Sequence, residues 1–367
     1  MKEFIPVASP IIDENEARAV YDVVKSGWIS MGKKVIEFEK LACDYIGVKH
    51  AIAMNNGTST LHSLLLALDI GPGDEVIVPT LTYISSVNVI LYVGATPVFC
   101  DNNPNTFNVD LEHIKEKISK NTKAFMTVDM KGQPVDYDKF CSLSQETGIP
   151  FISDSAESYG AVYKGNKIGD QALAHSFSFF ANKNITTGEG GMVTTNDSKL
   201  ATKLRIIRNQ GQEGRYNHTL LGQNYRMTDV LASIGIEQFK RIDNILDRKV
   251  LIAKNYDSAF DQIDQITVPF VPNYIHRPSW YLYSISMDND IRYKLIENFK
   301  KKNIDYRISF PPVHIQPYYV NLYNYNENDF PNAFFSYSTF LDIPIWAEMN
   351  QKKVDYIINA VLEITSN

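Results

Sequence analysis

The chain has 367 residues, 44% of them hydrophobic and 21% charged, an ordinary globular composition with room for two or three domains. Its formal net charge is −6 with both signs dispersed, so there is no basic stripe to follow a phosphate backbone and nucleic acid is not an expected partner. Cys43, Cys100 and Cys141 are far apart and show no C-x-x-C spacing, which argues against a disulfide framework or a zinc knuckle and fits a reducing compartment.

At the N-terminus, M-K-E-F-I-P-V-A-S-P lacks a long apolar stretch, and no window of about 18 apolar residues follows anywhere. A soluble, cytoplasmic protein with no membrane partner is expected. Asp13 and Glu16 have the spacing of a capping box, and Ala17, Val20 and Val24 recur at helical spacing until Gly27 closes the element. W-I-S-M-G, which contains Ser30, reads as a loop, and V-I-E-F-E-K-L-A-C-D-Y-I-G as a second amphipathic helix.

Short apolar runs then alternate with helical patterns. Strands are expected at 51–55, 75–79, 97–101, 124–129, 150–154, 174–180 and 191–196, with helices around 59–69 and 137–147. The last two strands are close in sequence and suggest a hairpin-like return. Strand–helix–strand repetition implies an α/β fold with a large, mostly parallel sheet covered on both faces, and ligands in such sheets bind beyond the carboxyl ends of the strands. After about residue 240 the pattern changes. A long helix near 248–260, a mixed stretch over 266–345 and a terminal helix at 354–364 suggest a small C-terminal α+β domain, 241–367, beside a large domain, 1–240. The Asn/Tyr-rich segment 320–332 reads as an exposed loop.

The residues that carry chemistry sit where strands end. F-I-S-D-S-A-E ends an apolar run on Asp154, and S-F-S-F-F-A-N-K-N-I-T-T-G-E-G-G runs from an apolar strand through Lys183 into a Gly-rich turn. A lysine amine and a buried carboxylate on neighbouring strand ends are what a pyridoxal phosphate (PLP) enzyme requires: one to bind the cofactor covalently, the other to keep the pyridine nitrogen protonated. Taken singly, Lys183 also fits a snorkelling lysine and Asp154 an N-cap. N-N-G-T-S-T-L opens a helix after the first strand. Gly57 with the N–H groups of Thr58 and Ser59 suits a phosphate, and equally a plain helix cap. Ser178, five residues before Lys183, is either a phosphate contact or a serine bonded to backbone. Tyr83, in P-T-L-T-Y-I-S-S, follows the strand ending at Pro79 and is placed to stack on a flat ring.

S-F-F-A-N-K-N-I-T-T-G-E-G-G-M-V, together with G-D-E-V-I-V-P-T-L-T-Y, D-S-A-E-S-Y-G and N-Y-R-M-T-D, resembles the sugar aminotransferases of the DegT/DnrJ/EryC1/StrS family over almost the whole chain. These are PLP enzymes of the aspartate aminotransferase fold, fold type I. The resemblance implies that Lys183 is the Schiff-base lysine and Asp154 the partner of the pyridine nitrogen. Tyr83 would stack on the ring, Glu157 would lie at the cofactor, and Gly57, Thr58, Ser59 and Ser178 would hold the phosphate. Asn224 would reach the phosphate from the other subunit of a homodimer, so that active sites are shared. Ser30, Lys131 and His314 are the candidates for substrate contact, and no metal is expected.

Within the family, T-T-G-E-G-G resembles members that aminate C4 of a nucleotide-linked 4-keto-6-deoxyhexose. Glu157, where many relatives carry Gln or His, is similar to the GDP-perosamine synthase branch, which makes GDP-4-keto-6-deoxymannose the leading substrate and glutamate the donor. Alternatives are a C4 or C3 aminotransferase acting on a UDP- or dTDP-linked keto sugar, and a PLP-dependent keto-deoxysugar dehydratase. That last branch has His in place of the lysine, so retained Lys183 argues against it. No G-x-G-x-x-G follows the first strand, which disfavours a Rossmann-type nucleotide-sugar oxidoreductase. One departure stands out: V-D-M-K-G-Q-P-V-D places Asp129 and Lys131 where relatives usually read His and Tyr.

Overall fold

The computed structural model describes residues 3–365. The capping box forms as expected: Asn15 N–H donates to Asp13 Oδ1 at 2.7 Å and Asp13 N–H to Glu16 Oε2 at 2.9 Å, starting the helix Glu14–Ser26. Such a cap is worth about 1 kcal/mol.

The large sheet contains β1 (His50–Met54), β2 (Glu75–Pro79), β3 (Thr96–Cys100), β4 (Thr122–Val128), β5 (Phe151–Asp154), β6 (Ala174–Ser178) and β7 (Gly191–Thr195), in the order β1-β7-β6-β5-β4-β2-β3. Neighbours are parallel except at β7, which runs antiparallel to both β6 and β1. The hairpin-like return therefore joins β6 to β7, and Lys183 lies in its connection. Most of these strands are buried on both faces, which is why they read as continuous apolar runs rather than alternating ones.

Helices pack on the two sheet faces over separate apolar clusters. Phe38 meets the rings of Phe179 and Phe239 edge-on at 5.2 and 5.3 Å, and all three are buried. Full burial of one such side chain stabilises by roughly 1.5–3 kcal/mol.

A further core lies in the C-terminal part of the chain. The helix Ile242–Phe260, the antiparallel pair β8 (Tyr283–Ser286) and β9 (Phe340–Ile343), and the helices Asn289–Lys301 and Gln351–Thr365 enclose Tyr256, Phe260, Tyr283 and Phe299. We propose this as the centre of the smaller lobe, 241–367. Its core also takes in Ile5 from the opposite end of the chain, which bridges Ile304. Val7 N–H donates to Asp305 Oδ2 at 3.1 Å, and Trp346 Nε1–H to Pro6 O at 3.1 Å.

The segment 320–332 is largely exposed, as its Asn/Tyr content suggests, but its two ends belong to helices and its rings are not free. Pro317–Tyr323 is helical, and a second helix runs from Pro331 to Thr339. Tyr319, Tyr323, Tyr325 and Phe330 set their rings edge-on around Phe99 of β3 at 5.6–6.4 Å. Asp101 also caps the second helix, accepting from Asn332 N–H and Ala333 N–H at 3.0 and 2.7 Å. The apolar rings overrode the local polar composition.

Candidate active site

The carboxyl ends of β2, β4, β5 and β6 open onto a cavity of about 440 Å³, where the large sheet faces the residues around β8 and β9. Each of its walls follows from a local feature of the chain.

One wall is the start of the helix Gly57–Ala67. Asn56 has an extended backbone and caps the helix, its Oδ1 accepting from Ser59 N–H at 2.8 Å. The first intrahelical bond is that of Thr60 N–H to Asn56 O at 3.3 Å, so Gly57 and Thr58 precede the point where the helix satisfies its own amides. Gly57 is needed for space: a Cβ there would stand 3.0 Å from Ser178 Cβ. Gly57, Thr58 and Ser178 line the cavity together. Ser59 does not join them, because its side chain is buried and its N–H is already held by Asn56.

The second wall carries acid. Asp154 ends β5 and is almost fully buried; Oδ2 accepts from Ser86 Oγ–H at 2.7 Å and Oδ1 from Ala156 N–H at 3.1 Å. Burial pushes its carboxyl up from the usual range, while Ser86, Ala156 and the nearby Lys183 charge pull against that. Glu157, three residues on, is also buried, and its carboxyl is likewise raised, chiefly by burial.

Lys183 faces both. Its Nζ lies 3.8 Å from Glu157 Oε1 and 4.0 Å from the centroid of the Tyr281 ring. Its N–H donates to Phe180 O at 2.9 Å within the turn that follows β6. Tyr83 forms the outer wall. It is 58% exposed, lines the cavity and makes a T-shaped contact with the Phe310 ring at 5.5 Å.

The structure thus brings Gly57, Thr58, Tyr83, Asp154, Glu157, Ser178 and Lys183 to one cavity. It places the remaining candidates elsewhere. Lys131 Nζ is buried against Asp342 Oδ1 at 2.8 Å and does not reach the cavity. His314 is wholly buried, its Nδ1 bonded to Thr80 Oγ1 at 2.7 Å and its ring 4.8 Å from that of Phe330. Burial lowers its pKa to about 4, so it is a neutral core residue. Ser30 is exposed outside the cavity, its carbonyl accepting from Asp229 N–H at 3.1 Å. Asn224 is exposed and bridges Asn209, also outside the cavity of its own chain.

Sequence reasoning missed Ser86, Asn182, Tyr281, Arg307 and Phe310. Ser86 stands three residues after Tyr83 in an element already singled out, so the first turn of the helix Ser85–Tyr92 was the available signal. Tyr281, Arg307 and Phe310 come from the C-terminal part of the chain, where no local pattern marks them. Arg307 and Tyr281 meet Asn182, the residue before Lys183, with Tyr281 Oη 3.2 Å from the Asn182 amide.

The residues present fit PLP. A glycine cradle that a Cβ would fill, bordered by early helical amides and the Thr58 and Ser178 hydroxyls, suits a phosphate group. A buried carboxylate held by two donors suits a ring N–H, and an amine beside a second carboxylate suits an aldehyde carbon.

Residues 10–362 match the model of the DegT/DnrJ/EryC1/StrS aminotransferase family. The GDP-perosamine synthase of Caulobacter vibrioides is 40% identical over 367 residues, with 98% of each chain covered. The UDP-4-amino-4-deoxy-L-arabinose–oxoglutarate aminotransferase of Shewanella sediminis is 34% identical over 385 residues, covering 100% of this chain and 99% of that one. Among solved structures, Spr1654 of Streptococcus pneumoniae in its PMP form aligns with a TM-score of 0.94 at 30% identity, over 99% of this chain and 98% of that one. Its PLP form aligns with a TM-score of 0.93.

Proposed function

This chain belongs to the DegT/DnrJ/EryC1/StrS aminotransferase family and is a PLP-dependent sugar aminotransferase, and from that premise we propose its particular reaction. An amino group passes from glutamate to C4 of a nucleotide-linked 4-keto-6-deoxyhexose, with GDP-4-keto-6-deoxymannose the leading substrate. The product serves cell-surface polysaccharide assembly. Support for the sugar comes from Glu157, from T-T-G-E-G-G, and from 40% identity to a GDP-perosamine synthase. The observation that carries the chemistry is the convergence of Lys183, Asp154 and Glu157 on one cavity.

When bound, the cofactor supplies an electron sink and carries the amino group between the two substrates. Asp154 would hold the proton on the pyridine nitrogen. Its burial would keep that charge–charge contact out of water, in a low-dielectric setting that strengthens it. Gly57 and Thr58 amides with the Thr58 and Ser178 hydroxyls would hold the phosphate, and Tyr83 would stack on the ring. Lys183 Nζ is the base that takes the proton from the donor's α-carbon, and the acid that returns a proton to the sugar carbon. Glu157 at 3.8 Å steadies the ammonium form between these transfers. Arg307 presents a guanidinium to the same cavity and suits a carboxylate or a diphosphate.

Asn224 lies outside the cavity of its own chain, which supports a homodimer in which Asn224 of the partner subunit completes each phosphate site. Among the described residues no helix is long and apolar enough to cross a membrane, and we propose a cytoplasmic reaction. A UDP- or dTDP-linked keto sugar is the second reading, favoured by the Shewanella sediminis relative.

The test is incubation with glutamate and a panel of GDP-, UDP- and dTDP-linked 4-keto-6-deoxy sugars, with products identified by mass spectrometry and NMR. Amination at C4 of the GDP sugar is expected. Exclusive amination at C3, or of another nucleotide's sugar, overturns the assignment. Lys183→Ala is expected to lose turnover and the visible absorbance of bound cofactor while keeping the wild-type circular dichroism.

A further inference from the structure

Lys131 occupies a place that the proposed reaction leaves unused. Its Nζ donates to Asp342 Oδ1 and Ser309 Oγ at 2.8 Å each, and to Ser284 Oγ at 2.5 Å. The rings of Phe107 and Phe340 lie 4.8 and 5.1 Å from it, so the ammonium is walled off from water. The backbone of Lys131 is left-handed, with φ +59°, a conformation costly for a residue with a side chain. Gly132 follows with φ +88°, and a Cβ there would come within 2.9 Å of Tyr281 N.

This conformation has one visible product. Lys131 N–H donates to Glu157 Oε2 at 2.7 Å, while the other oxygen of that carboxylate faces Lys183. Asp342, at the far end of the lysine side chain, exchanges both backbone hydrogen bonds with Arg307: Arg307 N–H to Asp342 O at 3.1 Å and Asp342 N–H to Arg307 O at 2.9 Å. Arg307 also lines the cavity.

We propose that the buried Lys131–Asp342 pair is a positioning device for the active site. Anchored in β8 and β9, the Lys131 side chain holds its own backbone in the left-handed conformation that aims an N–H at Glu157. Its partner Asp342 fixes the segment that bears Arg307 through an isolated bridge. Glu157 and Arg307, on elements far apart in sequence, are thus set by a single ion pair that itself stays outside the cavity. The inference rests on Lys183 being the cofactor lysine, because Glu157 acts through it.

The test uses purified holoenzymes. Removing one charge strands the other in the interior, so the informative variant is Lys131→Met with Asp342→Leu, which removes both. Melting temperature, kcat, KM for each substrate and the pH titration of the cofactor's visible absorbance are measured. With the anchor gone, residue 131 relaxes towards ordinary backbone, Glu157 loses its donor, and kcat falls roughly tenfold or more. KM rises for whichever substrate Arg307 holds, and the absorbance titration shifts by about half a pH unit or more.

Lys131→Asn with Asp342→Leu recovers much of kcat without restoring the ion pair, since asparagine tolerates left-handed backbone. Wild-type kcat and an unmoved titration in the double variant, whatever its melting temperature, overturn the proposal and leave the pair a fold-stabilising contact. Should that variant not fold, Asp342→Asn is read by the same two measurements, with the same fall and shift expected and wild-type values again overturning it. A wild-type protein that takes up PLP without any visible band would instead defeat the Lys183 assignment.

Discussion

Ser86 Oγ–H donates to Asp154 Oδ2 across 2.7 Å, tying the helix that follows β2 to the end of β5. The bond holds a buried acid in the orientation needed by a ring nitrogen, and it comes from a residue with no evident chemistry of its own. Ser86→Ala leaves that oxygen short of a donor in a dry site, an imbalance of about 1–3 kcal/mol. Weaker cofactor binding is expected, measured by titrating apoenzyme with PLP. An unchanged Kd would show that the carboxylate is held well enough by Ala156 N–H alone.

Gly57→Ala tests the phosphate cradle. The added methyl would meet Ser178 Cβ at 3.0 Å, and the strand or the helix must give way. Overpacking of this kind costs about 1–3 kcal/mol of stability. We expect cofactor to be lost on gel filtration from the variant but not from the wild type. Equal retention by both would argue that the phosphate sits elsewhere.

Lys249 lies in the helix Ile242–Phe260 with no carboxylate partner among the described residues: its Nζ donates to Asn184 Oδ1 at 2.7 Å. Burial lowers its pKa to about 7. The unfolded chain holds this proton up to about pH 10.4, whereas the folded chain releases it from about 7. In that window the unfolded state binds more protons, so this residue's contribution makes stability rise with pH. Lys249→Met is therefore expected to stabilise the protein at pH 7 by about 1 kcal/mol or more, with the gain shrinking towards pH 10. Denaturant unfolding of both proteins at the two pH values measures it; a gain independent of pH contradicts the assignment. The same variant is expected to lower activity, because Asn184 adjoins Lys183 and would keep only its bond to Ser279 O.

Asn224→Ala should weaken cofactor retention if the residue serves the neighbouring protomer. Mixing it with Lys183→Ala provides the sharper check. Heterodimers contain one site damaged by both changes and one intact site, so activity should reappear on mixing. No recovery, or full activity in a monomer, contradicts a shared site.

The sheet was readable because strands buried on both faces leave uninterrupted apolar runs, and Asp154 and Lys183 because each stands where such a run stops. Where a side chain's partner is distant, the local pattern carried no information. Lys131 looked like a substrate contact, yet its tip is claimed by Ser284, Ser309 and Asp342, the last 211 residues away. His314 resembled a site residue until Thr80, 234 positions earlier, supplied its partner. Ser59 illustrates a nearer failure. The cap-versus-phosphate ambiguity of N-N-G-T-S-T-L was visible in the sequence, and Asn56 resolves it by taking the Ser59 amide. The helix Pro331–Thr339 was hidden because its flanking Asn and Tyr residues mimic a solvated turn, whereas the tyrosine rings close over Phe99.

The stitching of Ile5, Pro6 and Val7 into the lobe built around Tyr256 and Phe299 has a kinetic consequence. Val7 finds Asp305 298 positions later, and Pro6 receives Trp346 340 positions later. During synthesis that leading segment must therefore wait, unpaired, while the whole large sheet is made. The smaller lobe closes only after its own last helices have emerged from the ribosome. Contacts of such long range are slow to form, and an amino-terminal fusion that delays this homecoming should slow maturation of the enzyme more than a carboxyl-terminal one.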